Sequence, residues 1–137
     1  MDAFGVRSQL NACKAVGLSR VLLVSSLCAG RWRHPLNLFG LILVWKRLGE
    51  RWLEQSGLDW TVVRPGGLSE DDSRIEQEGV VFTDADQQQS SSIPRRLVAQ
   101  VCLDALAEPR ACGLIIEITS SKQQPPLRLG EWFLQSA

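Results

Sequence analysis

Ser25-Ser26, Lys46 and Arg64-Pro65-Gly66-Gly67 are the residues of this chain whose types and placement best suit chemistry. The two serines follow an apolar run, so their hydroxyls would stand at the end of a strand, able to hydrogen-bond or to exchange a proton. Lys46 lies off the charged outer side of its predicted helix. A lysine there either serves a cleft or snorkels from an apolar ridge. Gly66 and Gly67 lack a β-carbon, which lets main chain approach a flat group closely. Metal chemistry is disfavoured: His34 is the single histidine, and Cys13, Cys28, Cys102 and Cys112 form no CxxC pair. The thiols read as reduced and mostly buried, which fits a cytoplasmic protein.

Charge adds one hint. The 137 residues sum to zero net charge, which gives no reason to expect nucleic acid as a partner. Residues 1–68 carry +5 and residues 69–137 carry −5. Two complementary solvated faces would produce this, and so would a basic half lining a site for an anionic ligand. The longest apolar run, Leu38 to Trp45, is far short of the roughly 20 residues that span a bilayer. The start, MDAFGVRSQ, does not read as a signal peptide.

The elements that must position these residues alternate. Asp2 to Val16 reads as a helix with Gly17 at its C-cap. Val21-Leu22-Leu23-Val24 is a continuous apolar run, predicted to be a parallel strand buried on both faces. A second helix is predicted from about Leu36 to Gln55, with Leu41, Trp45, Leu48 and Trp52 on one apolar stripe. Arg47, Glu50, Arg51 and Glu54 are assigned to its outer side, and Lys46 to a second ridge with Ile42 and Leu53. Trp60 to Val63 is the next strand. Val80-Val81-Phe82 suggests a short strand, and Asp84 to Ser92 a mobile polar loop. Pro94 suits the first turn of a helix running to about Ala107. Leu114 to Ile118 is a strand, and Leu127 to Gln135 a short final helix. Such alternation predicts an α/β domain over 1–137, with an open, mostly parallel, doubly wound sheet and helices on both faces.

At these same residues the chain resembles the atypical short-chain dehydrogenase/reductases of the plant and cyanobacterial NAD(P)H-binding type. The resemblance runs through His34-Pro35-Leu36-Asn37, Leu43-Val44-Trp45-Lys46-Arg47, Glu50, Ser56-Gly57-Leu58 and Arg64 to Leu68. It covers roughly Asp2 to Ser120. It implies a Rossmann domain that binds NADP(H) or NAD(H), with NADP(H) favoured, and an oxidoreductase activity. By position it implies Ser26 and Lys46 as catalytic residues. Ser25, Ser26, Lys46, Arg64, Pro65, Gly66, Gly67 and Leu68 would form the cofactor site. Trp32, with Arg31 and Arg33, would lie near the active face. Ile93-Pro94-Arg95 resembles the family's Ile-Ser-Arg at a helix start, with Leu97 where an acidic residue is usual.

Two departures qualify this reading. Such domains open with a strand and a glycine-rich loop under the pyrophosphate. This sequence begins at the helix before the family's fifth strand, so it reads as the C-terminal portion of a Rossmann domain. That predicts an exposed edge at Val21–Val24, and a chain that is marginally stable or pairs into a homodimer there. The wider superfamily also uses Tyr-x-x-x-Lys, in which the tyrosine moves the proton. Four residues before Lys46 stands Ile42, and the chain has no tyrosine. Proton transfer would then fall to Ser26 or water. The alternatives are a non-catalytic NADP(H)-sensing or scaffold module, or an inactive truncated fragment.

Overall fold

The computed structural model describes residues 3–27, 42–88 and 91–135; for 42–45 it describes the backbone alone. In chain order the elements are α1 (Ala3–Ala15), β1 (Arg20–Val24), α2 (Ile42–Glu54), β2 (Asp59–Pro65), β3 (Gly67–Ser69), α3 (Arg74–Gln77), β4 (Gly79–Asp84), β5 (Ser92–Pro94) and α4 (Arg95–Leu106). A 3-10 turn at Pro109–Ala111, β6 (Leu114–Ser121) and α5 (Leu129–Gln135) complete them. The main sheet has the order β1-β2-β6-β4. β1 and β6 both run parallel to β2, as the alternation predicts.

Apolar residues alternate sides along the strands and so build two cores. Val62 packs on one face with Val6, Leu10 and Leu53 from α1 and α2. Val63, Ile116 and Ile118 pack on the other with Leu97, Val98 and Val101 of α4 and Leu129 of α5. Helices therefore cover both faces. Gly17 ends α1 at φ 78°, a left-handed conformation that glycine adopts without a β-carbon penalty.

Several local expectations change. β1 is only partly buried, and Val24 is 50% exposed, because among the described residues β1 has a single neighbour and lies at the sheet edge. β4 pairs with β6 antiparallel. Among the described side chains of α2, Leu53 and Glu50 are fully buried, while Leu48 and Trp52 are half-buried. Trp52 instead meets Phe4 with ring centroids 5.6 Å apart and lies under the guanidinium of Arg7. Leu36 to Leu41 lie outside the described residues. Pro94 precedes α4 rather than occupying its first turn, and α5 starts at Leu129.

The polar stretch Asp84 to Ser92 makes specific hydrogen bonds at its described positions. Asp84 ends β4 and Ser92 begins β5. Between them the Gln87 and Gln88 amides both donate to Glu117 Oε1 at 2.9 Å. The Gln88 side chain donates to the carbonyls of Val81 and Glu117 and accepts from Thr119 Oγ1. Polar composition here reflects a strap that hydrogen-bonds across β6, not a chain left to water. β5 then pairs in parallel with β3, a small sheet that the glycines of Arg64-Pro65-Gly66-Gly67 concealed.

Candidate functional site

The serines stand where β1 ends. Ser25 N donates to Val63 O at 2.8 Å and Leu27 N to Pro65 O at 2.9 Å, so the parallel ladder continues past the strand. This holds both hydroxyls at the carboxyl ends of β1 and β2. Open parallel sheets place their ligands in the crevice at such ends. Ser25 is 7% exposed, and its hydroxyl has no hydrogen-bond partner among the described residues. A buried unsatisfied hydroxyl costs about 1–3 kcal/mol, so such groups usually mark a partner outside the chain.

α2 brings Lys46 to the same place. Its ammonium donates to Ser26 Oγ across twenty residues of sequence. Burial pushes the Lys46 pKa below that of an ordinary lysine, and the negative charge of Glu50, one turn on, partly opposes this. The result is a half-buried cation hydrogen-bonded to a hydroxyl at the carboxyl end of β1. Such a group can hold a polar ligand or pass a proton along Lys46 and Ser26.

The sequence-predicted site divides at Arg64. Ser25, Ser26, Lys46 and the backbone of Pro65 come together. The Arg64 side chain turns the other way, 1% exposed, into three carboxylates. Its Nε donates to Glu50 Oε1 at 3.0 Å and its Nη2 to Glu50 Oε2 at 2.7 Å, fork to fork. Its Nη1 reaches Asp86 at 2.9 Å and Glu117 at 3.4 Å. These acids raise the Arg64 pKa against the effect of burial. The Arg64 side chain is therefore committed to internal ion pairs, while its backbone stays at the carboxyl end of β2.

The glycines also have a different task. A β-carbon at Gly66 would lie 2.2 Å from the carbonyl oxygen of Ser91 and 3.1 Å from Thr119 Cγ2. Gly66 N donates to Ile118 O, and Gly67 N to Ser91 O at 2.8 Å. The close approach that requires glycine at 66 is thus made by the strap. Leu68 is 46% exposed and belongs to β3. Leu97, in the usual acidic position, is buried in the α4 core. Trp32, His34 and Cys28 lie outside the described residues.

Glu50 was misplaced by periodicity, which put it on the outer side of α2, and Glu117 and Asp86 were missed. One signal was available. Glu117 interrupts the apolar run Leu114-Ile115-Ile116-Glu117-Ile118, and a carboxylate inside a central strand requires a buried partner. Among the described residues no cluster of three or more His, Cys, Asp or Glu could hold a metal ion, and no helix is long and apolar enough to cross a membrane.

Comparison with known proteins places this geometry. The model of a family described as NAD(P)H-binding matches residues 2–109. An uncharacterized chloroplastic protein of Arabidopsis thaliana is 35% identical over 134 residues, covering 91% of this chain and 47% of its own length. Sanguinarine reductase of Eschscholzia californica is 32% identical over 109 residues, covering 77% of this chain and 40% of its own. The chain thus spans about half the length of the curated relatives it matches. A solved structure from Bacillus halodurans, a candidate NAD-dependent epimerase/dehydratase, superposes with a TM-score of 0.80 at 26% identity, over 96% of this chain and 58% of that one. The parallel sheet, the Ser26–Lys46 pair at its carboxyl ends and these matches agree: the chain belongs to the NAD(P)H-binding family of atypical short-chain dehydrogenase/reductase-like Rossmann proteins, whose cofactor is a nicotinamide dinucleotide.

Proposed function

We propose that this chain serves an NADP(H)-dependent reductase activity and that it supplies the nicotinamide end of the cofactor site. The observation that carries this reading is the Lys46–Ser26 hydrogen bond at the carboxyl end of β1, one residue on from Ser25, whose buried hydroxyl has no partner among the described residues. Those residues fit the cofactor: an unpaired, buried hydroxyl suits a carboxamide or ribose hydroxyl, and an ammonium suits a ribose hydroxyl or phosphate. The bound cofactor supplies hydride. Lys46 and Ser26 would then manage the proton. Ser26 donates its hydroxyl proton to the reduced acceptor, Lys46 replaces it, and water reprotonates Lys46. A tyrosine is not required for this relay, and none is available. Acceptors whose reduced form is a weak base, such as quinones and flavins, need the least help.

The preference for NADP(H) over NAD(H) rests on the family resemblance and on the basic character of residues 1–68. A cytoplasmic setting is proposed from the thiols: Cys13, Cys102 and Cys112 are free. The Arabidopsis relative is described as chloroplastic, so fractionation with an antibody would discriminate between two reducing compartments. We also propose pairing of two copies through the β1 edge, to be read by sedimentation.

The activity test follows NADPH oxidation with a quinone and with a flavin as acceptor, in wild type, Ser26→Ala and Lys46→Met. Turnover that depends on both residues supports the reading. Cofactor binding without turnover would instead favour a sensing module, and no binding would contradict both.

A further inference from the structure

We infer that Glu50 and Arg64 act as a positioning pair that holds Lys46 against Ser26; this rests on the reading of Lys46 and Ser26 as the working residues. Lys46, Glu50 and Leu53 follow one another at i, i+4 and i+7 on α2, and so share one ridge. Leu53 anchors that ridge by apolar contact, which is non-directional and leaves the helix free to rotate or slide slightly. The Glu50–Arg64 contact is directional. Two parallel hydrogen bonds, 3.0 and 2.7 Å, fix both the distance and the rotation of α2 over β2.

Arg64 is itself held, because Asp86 and Glu117 engage its remaining nitrogen. Glu50 is held from its other side by Arg47, at 3.0 Å, which also reaches Glu54 at 2.6 Å. The chain of contacts therefore runs from the sheet through Arg64 to Glu50, and one turn back along α2 to Lys46 and Ser26. A buried ion pair is weak evidence for stability, since apolar replacements often fold as well. Its directionality is what an apolar pair would not reproduce. Around Lys46, among the described residues, the acting charge is Glu50 on its own helix, and the group facing it from β1 is Ser26.

The chain has three lysines, Lys14, Lys46 and Lys122, so the side-chain carbons of Lys46 can be followed individually by NMR with labelled lysine. The test uses Arg64→Lys, which keeps the charge and loses the fork, and Glu50→Gln, which keeps the shape and loses the charge. In Arg64→Lys, Lys46 should leave Ser26 for solvent and titrate nearer an ordinary lysine. In Glu50→Gln the contact to Ser26 should likewise be lost, but loss of the carboxylate that raises the Lys46 pKa opposes the titration shift, so the lost contact is the readout there. NADPH oxidation should fall about tenfold or more, as expected for a small misplacement of a reacting group. Arg64→Lys with an unchanged Lys46 titration would overturn the inference. Failure of both variants to fold would overturn it too, since the pair would then hold the fold and not one side chain. The titration needs no cofactor, so it still decides if wild-type protein proves inactive, an outcome that would count against the proposed reductase alone.

Discussion

The hydroxyl of Ser26 accepts a hydrogen bond from the ammonium of Lys46, joining the end of the first strand to the helix that follows it. A lysine in this setting is held where its charge is costly, and the hydroxyl is the group that gains from it. If the pair relays a proton, Ser26→Ala should lower kcat by about 10²–10⁴, the usual range for loss of a general acid. Cofactor binding, measured by titration calorimetry, should change far less. Equal loss in both would mean that Ser26 binds and does not react.

Reduction should weaken at alkaline pH earlier than an ordinary lysine would dictate. Lys46 acts in its protonated form, and burial lowers its pKa, so the acid form is lost as pH rises through that lowered value. Stability should move the other way. Between the folded and the unfolded pKa the unfolded chain binds the extra proton, so this one group makes the fold more stable as pH rises across that window. Lys46→Met should remove the shoulder from a pH–stability profile followed by circular dichroism.

Gly66→Ala should destabilise the fold although its φ is not in the left-handed region. The added carbon would sit 2.2 Å from the Ser91 carbonyl, a backbone atom that cannot swing aside. Overpacking of this kind costs about 1–3 kcal/mol. Urea unfolding would show it as a lower midpoint with an unchanged slope. Gly67→Ala should be milder, because there the same oxygen lies 3.7 Å away.

Gln88→Ala should loosen the strap without unfolding the sheet. Its side chain donates to Val81 and Glu117 and accepts from Thr119. Hydrogen exchange at the amides of residues 86–88 should quicken, while amides of β2 and β6 keep their protection. Uniformly faster exchange would mean that the strap is integral to the core.

Acid should act through Glu78. Arg74 and then Ser120 hydrogen-bond its carboxylate and lower its pKa. The stabilisation is present above the unfolded value, near 4.5, and is lost as pH falls through the folded one. Glu78→Gln should flatten that part of a pH–stability curve.

The strands and long helices were legible because short apolar runs such as Val21–Val24 and Leu114–Ile118, flanked by turn signals, suit a sheet, although β1 is a partly exposed edge among the described residues. That Ser26 and Lys46 face one region was legible because a strand end and an off-stripe lysine stand out from their neighbours. Arg64 and Glu50 were not, because each was judged against its own element. On α2 a glutamate among Arg47, Arg51 and Glu54 looks like an outer-face residue. Only the opposing strand shows that it meets an arginine buried at 1% exposure. The hydrogen bonds of Gln87 and Gln88 were hidden for a similar reason: glutamines read as solvated until Glu117 supplies their partner.

The most direct test of the central claim is the NMR signal of the Lys46 side chain as NADPH is added, with Lys14 and Lys122 as internal controls. A selective shift of Lys46, lost in Ser25→Ala or Ser26→Ala, is the result expected if the nicotinamide end sits at the carboxyl ends of β1 and β2. Cofactor binding that leaves Lys46 unmoved would contradict it.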